Sequence, residues 1–130
     1  MKRILLACFL LTATCSVSFI GHANARTTVT PTTLADFTAK INLMDSYIGA
    51  GNVTAAQSTW NDVHSMMLNV LAVTKESIHS AATPADRTAY TTIMNNQTTI
   101  YYDVWALKND LATNRAAIHA KLVAFGATIY

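Results

Sequence analysis

The chain has 130 residues, of which 52% are hydrophobic and only 12% are charged, and this length is typical of a single domain. Nine basic and seven acidic residues give a formal net charge of +2, without any cluster of Lys and Arg. Because nucleic-acid-binding domains usually carry a basic patch, we do not expect a nucleic-acid partner.

The first 25 residues have the pattern of an export signal. Lys2 and Arg3 supply a positive start, and the run over 4–20 is mostly apolar. Ala23-Asn24-Ala25 then offers the small residues that signal peptidase recognises. We therefore expect residues 1–25 to be a signal peptide, and the protein to be periplasmic or extracellular.

Removal of this signal changes both the charge and the cysteine content. Loss of Lys2 and Arg3 leaves seven basic residues against seven acidic ones, so the mature chain is formally neutral. Both cysteines, Cys8 and Cys15, are also removed. Cys15 follows Thr14 rather than the small residue that lipid attachment needs, which favours soluble export. No later stretch reaches the ~20 apolar residues of a membrane-spanning helix.

Residues 26–32 are rich in Thr and predict a flexible leader, followed by one helical domain over 33–130. Thr33 and Asp36 form a capping box at the start of the first helix. The apolar residues that follow at helical spacing are Leu34, Phe37, Ile41, Met44 and Ile48. Gly49–Asn52 predicts the end of this helix and the start of the next.

Three further amphipathic segments complete the chain. The second helix is predicted to run from Val53 to about Ala82, and Thr83–Asp86 marks its boundary with the third. Lys108–Asp110 is typical of a turn, and a fourth apolar stripe starts at Leu111. No segment alternates with the period of a strand, so we predict an all-α fold.

The short links between these helices favour antiparallel neighbours, as in an up-down four-helix bundle. The break after the third helix is the weakest of the three. Apolar spacing nearly continues from Ile93 to Phe125. A three-helix bundle with one long C-terminal helix is therefore the alternative.

Signatures of enzymes are missing from residues 26–130 of the sequence. They contain no Cys for thiol catalysis and no Gly-rich loop for phosphate. Glu76-x-x-His79 matches one unit of a di-iron bundle, but Glu76 is the only Glu of this part, so we expect no metal site. We expect a non-catalytic protein.

The remaining interpretation is an interaction or accessory module. Its weakly charged surface favours binding to a second copy of itself or to another exported protein. Tyr102 and Tyr130 are candidates for an exposed contact patch, because Tyr presents both an apolar ring and a hydroxyl.

Cofactor binding is the alternative function. His64 and Met67 lie three residues apart on one helical face, and Met44 of the first helix lies on a stripe that faces the core. Imidazole and thioether ligands suit copper or haem iron. Methionine fills cores at this spacing more often than it binds metal, so our first expectation is no cofactor.

The segment Leu111–Lys121 contains the pattern Arg115-x-x-x-His119. It resembles the last helix of the soluble periplasmic four-helix-bundle b-type cytochromes. That resemblance implies a helical bundle in which His119 is an axial haem ligand. The family's second ligand is a Met early in the first helix, where this chain has Phe37–Ala39, and Met44 comes later.

Arg115 and Gln97 are polar residues at positions of the apolar stripes. A polar side chain at such a position needs a partner and often fixes the register of helices. We expect Arg115 to pair with Asp103 or Asp110 where the third and fourth helices meet.

Overall fold

The computed structural model describes residues 30–130, which form four α-helices and, within that range, no strand. Helix α1 spans Leu34–Gly49, α2 spans Val53–Ser80, α3 spans Pro84–Leu107 and α4 spans Arg115–Gly126. Each helix packs against the next along the chain, and α4 closes the ring against α1. The predicted up-down antiparallel four-helix bundle is thus confirmed. The predicted signal peptide and residues 26–29 lie outside the described residues.

All four helices contribute to one apolar core. Its buried members are Phe37, Ile41, Met44, Ala56, Trp60, Val63, Met67, Val70, Val104, Leu111, Ile118, Leu122 and Phe125. Phe37, Ile41 and Met44 of the stripe predicted on α1 are buried in this core, as burial of an amphipathic face requires, whereas Leu34 at its start is 48% exposed. Within residues 30–130, none of the helices combines the length and apolar character needed to cross a membrane.

Side-chain caps begin the first three helices where the sequence places them. The hydroxyl of Thr33 accepts the backbone N–H of Asp36 at 3.1 Å, and that of Thr83 accepts the N–H of Asp86 at 3.1 Å. The side chain of Asn52 caps α2 in the same way. Each cap satisfies a backbone donor that has no partner inside the helix.

Asn69 of α2 holds the chain that precedes α1. Its Oδ1 accepts the backbone N–H of Thr32 at 3.2 Å, and its Nδ2 donates to the carbonyl of Thr30 at 3.3 Å. One amide side chain thus serves as both acceptor and donor for an extended backbone.

The chain between α3 and α4 is not a continuous helix. Asp110 Oδ1 accepts the backbone N–H of Thr113 at 2.9 Å, and Asn114 Nδ2 donates to the carbonyl of Leu107 at 3.0 Å. These side chains take up backbone groups that an unbroken helix would use, as polar residues often do near helix ends. The alternative with one long C-terminal helix is therefore wrong. The last helix begins at Arg115, about one turn later than the sequence predicts.

The turn between α1 and α2 depends on Gly51, whose φ is +70°. We expect Gly51→Ala to lower the free energy of unfolding by about 1 kcal/mol, because an L-residue is strained in this left-handed region. Nothing lies within 4 Å of the added Cβ, so the effect comes from the backbone alone. Urea unfolding followed by circular dichroism measures it.

Gly49 provides the matched control, since it ends α1 in a helical conformation. Gly49→Ala should raise the free energy of unfolding by about 0.5 kcal/mol, because Ala is the better helix former. Its Cβ would meet only the guanidinium end of the Arg115 side chain, at 3.2 Å from Nη1, which a shift of a few tenths of an ångström would relieve. Equal destabilisation by both substitutions would contradict the assignment to backbone strain.

Candidate functional site

A charged cluster joins α4 to α1. His119 Nδ1 lies 2.5 Å from Asp45 Oδ2, and Arg115 Nε lies 3.7 Å from Asp45 Oδ1. The Asp45 side chain is mostly buried, with 17% exposed. Arg115 and His119 are one helical turn apart, so both reach the same carboxylate.

The predicted partners of Arg115 are wrong. Asp103 binds Lys121 instead, with 2.6 Å between Nζ and Oδ2. Asp110 binds the backbone of the link before α4. Because α4 starts at Arg115, this side chain lies over the end of α1, where Asp45 is the nearest acid. Gln97 is fully buried, and its Nε2 donates to the carbonyl of Thr128 at 3.4 Å, whereas its Oε1 has no hydrogen-bond partner among residues 30–130.

The hydrogen bond to Asp45 determines what His119 can do. With Nδ1 engaged by the carboxylate, Nε2 is the ring nitrogen left for a ligand or a proton. Asp45, Arg115 and His119 line an open cleft of about 450 Å³. Asp45 Oδ1 is buried without a hydrogen-bond partner among residues 30–130. The cluster therefore holds the imidazole of His119 in a fixed orientation beside the guanidinium group of Arg115.

A second cluster lies where α2 meets α3. His64 Nε2 is 2.9 Å from the hydroxyl of Tyr101, and the His64 ring lies 4.9 Å from that of Trp105, centroid to centroid. Tyr101 also contacts Tyr102 at 5.4 Å and Trp105 at 6.2 Å. We call His64, Tyr101, Tyr102 and Trp105 the aromatic face. Trp60 lies beneath it in the core, with its ring centroid 6.1 Å from that of His64.

The two tyrosines proposed as surface contacts are both exposed, Tyr102 by 64% and Tyr130 by 62%. Their surroundings differ. Tyr102 belongs to the aromatic face, whereas Tyr130 stacks on Tyr90 and donates its hydroxyl to Ser77 at 3.0 Å. Tyr130 therefore fastens the end of the described chain against α2 and α3.

The four candidate cofactor ligands do not converge on one site. His64 faces α3 and His119 faces α1, and these two seams lie on opposite sides of the ring of helices. Met44 and Met67 are completely buried members of the core. Within residues 30–130, no group of three or more His, Cys, Asp or Glu side chains is placed to hold a metal ion.

The structure also contains an apolar cavity that the sequence does not predict. This end cavity, of about 180 Å³, lies where the α1–α2 turn meets the α3–α4 link. It is lined by Ile48, Gly51, Val53, Ala56, Gln57, Asn109, Asp110, Leu111 and Ala112. In an up-down bundle these two links lie at the same end of the bundle. Their shared position is the only feature of the sequence that indicates a cavity between them.

Asp110 is the single acidic residue lining the end cavity. Its hydrogen bond from the backbone N–H of Thr113, assisted by the Thr113 side chain, lowers the pKa of Asp110 below its ordinary value. Asp110 is therefore ionised at neutral pH. Among the described residues no Lys, Arg or His forms an ion pair with it.

Comparison of the chain with protein families, curated proteins and solved structures finds no match. The case for a function consequently depends on the geometry of the aromatic face, the charged cluster and the end cavity.

Proposed function

We propose that this chain is an exported, non-catalytic helical bundle that acts by binding through its aromatic face, and that the partner is a second copy of itself. The observation that carries the proposal is the exposure of Tyr102 and Trp105, by 64% and 42%, in one contiguous group of rings. Tyr and Trp are enriched at the energetic centres of protein interfaces.

The neutral net charge of the proposed mature chain favours self-association. Residues 26–130 carry seven basic and seven acidic side chains, so two copies do not repel each other through net charge. Charged residues make up 12% of the chain, against about 25% in typical domains. A weakly charged surface with an exposed aromatic group promotes self-association.

Native mass spectrometry tests this proposal in one experiment. The full chain is expressed in a bacterium with its own first 25 residues, and the protein is purified from the exported fraction. We expect the mass of a dimer of Arg26–Tyr130, without added mass. A strictly monomeric species at all concentrations would refute self-association, and an uncleaved mass would refute the signal peptide.

Tyr102→Glu should weaken the dimer by at least about tenfold, measured by sedimentation velocity over a wide concentration range. A two-fold symmetric interface brings the same patch of both copies together, so the two new carboxylates would lie close to each other. Because Tyr102 is mostly exposed, the change should leave the fold intact.

Tyr130→Glu is the matched control, since Tyr130 is exposed to nearly the same extent but lies outside the aromatic face. We expect it to leave the dimer unchanged. Dissociation of the dimer by Tyr130→Glu, with no effect of Tyr102→Glu, would show that the interface lies near Tyr130 at the opposite end of α3 and not at the aromatic face.

Haem or copper binding is the second candidate function. One observation favours it: Asp45 orients His119 as carboxylates orient metal-binding histidines elsewhere, leaving Nε2 as the ligand atom. It ranks second because His64, Met44 and Met67 do not share a site with His119. Added mass equal to haem or to a copper ion in the native spectrum would reverse this order.

A further inference from the structure

The end cavity has the volume and lining of a site for a small apolar group. Its volume is about 180 Å³, and an apolar cavity of about 150 Å³ is large enough to hold benzene. Ala56 and Leu111 are buried at its wall, while Val53 is 74% exposed at its edge. A ligand that covers Val53 would remove apolar surface from water, which favours binding.

The polar side chains of the cavity determine the charge of the ligand group that they would bind. Asp110 is an anion without a partner cation among the described residues, and Asn109 and Gln57 add neutral amides. The nearest cation along the chain, Lys108, contacts the neighbouring Asn109 of the cavity lining but forms no ion pair with Asp110. Its Nζ donates to Asn109 Oδ1 at 3.3 Å and lies 4.3 Å from the centre of the Trp105 ring.

We propose that the end cavity binds a small organic amine, with its apolar body against Ile48, Val53 and Leu111 and its ammonium group at Asp110. Charge complementarity selects the cation, because an ammonium group gains a charge partner at Asp110 that a neutral ligand does not gain, and an anion is repelled by this carboxylate. This site is independent of the aromatic face. It lies where the two links meet, whereas the aromatic face lies along α2 and α3.

Three probes of similar size and different charge test the proposal. Benzylamine, benzyl alcohol and benzoate are each titrated into isotope-labelled residues 26–130, which contain every described core residue, and followed by nuclear magnetic resonance. We expect benzylamine to bind most tightly and benzoate least tightly. The shifted backbone signals should belong to residues 48–57 and 109–112.

Two variants separate the effect of the charge from that of the cavity, and a third is the control. Asp110→Asn keeps an oxygen that can accept the Thr113 N–H but removes the negative charge, so it should weaken benzylamine by about two- to fivefold and leave benzyl alcohol unchanged. Ala112→Leu, at an exposed position of the wall, should weaken both. Asp103→Asn changes the net charge equally at a distant surface site and should alter neither.

The outcomes are distinct. Equal binding of benzylamine and benzyl alcohol, unaffected by Asp110→Asn, would overturn the role of the charge. Tighter binding of benzoate, with shifts at Arg115 and His119 rather than at the two links, would overturn the proposed selectivity and site. Absence of shifts at both links with all three probes would overturn the site itself.

Discussion

We expect Phe125→Ala to lower the free energy of unfolding by about 3 to 5 kcal/mol, the usual cost of truncating a buried aromatic side chain. Phe125 is completely buried, and its ring centroid lies 5.6 Å from that of Phe37, also completely buried. Because a domain of this size has a total free energy of unfolding of about 5 to 15 kcal/mol, the loss would leave the bundle only marginally stable.

Close packing of the backbone near Phe125 limits how far the surrounding residues can move to fill the space that Phe125→Ala leaves. A Cβ on Gly126 would lie only 3.4 Å from the Phe37 ring, so α4 already packs closely against α1. Urea unfolding measures the loss, with Val123→Ala as control, since Val123 of the same helix is 52% exposed and should change stability by no more than about 0.5 kcal/mol. Similar effects of both variants would show that Phe125 does not belong to a packed core.

Thr74→Val should act in the opposite direction and raise the free energy of unfolding by about 1 to 2 kcal/mol. Thr74 is 1% exposed, and its hydroxyl has no hydrogen-bond partner among residues 30–130. A buried polar group without a partner costs about 1 to 3 kcal/mol. Valine has nearly the same shape and an equally branched side chain, so it removes that cost without opening a cavity.

The same substitution at Thr59 provides the control, because Thr59 is also buried on α2 but its hydroxyl donates to the carbonyl of Ala55 at 2.9 Å. Thr59→Val should lower the free energy of unfolding by about 1 kcal/mol. Calorimetric melting of both variants gives the comparison. Destabilisation by Thr74→Val would mean that its hydroxyl is hydrogen-bonded in solution.

The parts of this fold that depend on local chemistry could be predicted from the sequence. The caps at Thr33, Asn52 and Thr83 use only residues within three positions, and the apolar period identifies the inner face of α1, α2 and α4. The sequence predicts the break before α4 less accurately, because apolar spacing continues through it. Only the polar side chains of Asp110 and Asn114 show that the helix stops.

The candidate sites depend on which helices are neighbours in space, and periodicity does not contain that information. Sequence proximity predicts the wrong acids for Arg115, because the packing of α4 against α1 brings Asp45 to it. Met44 and Met67 have the same spacing whether they fill a core or bind a metal. The end cavity requires two links separated by more than fifty residues of sequence to meet.

Because α4 packs against α1, the first and last helices of the described chain are neighbours in space. Pro31 and Thr32 line the same small cavity as Ile129 and Tyr130, so both ends of the described chain meet at one end of the bundle. A short engineered linker between them would leave every helix with the two neighbours it has now. The chain could then be cut anew at residues 108–114, a link outside the helices, and a permuted protein beginning with α4 would keep the same core.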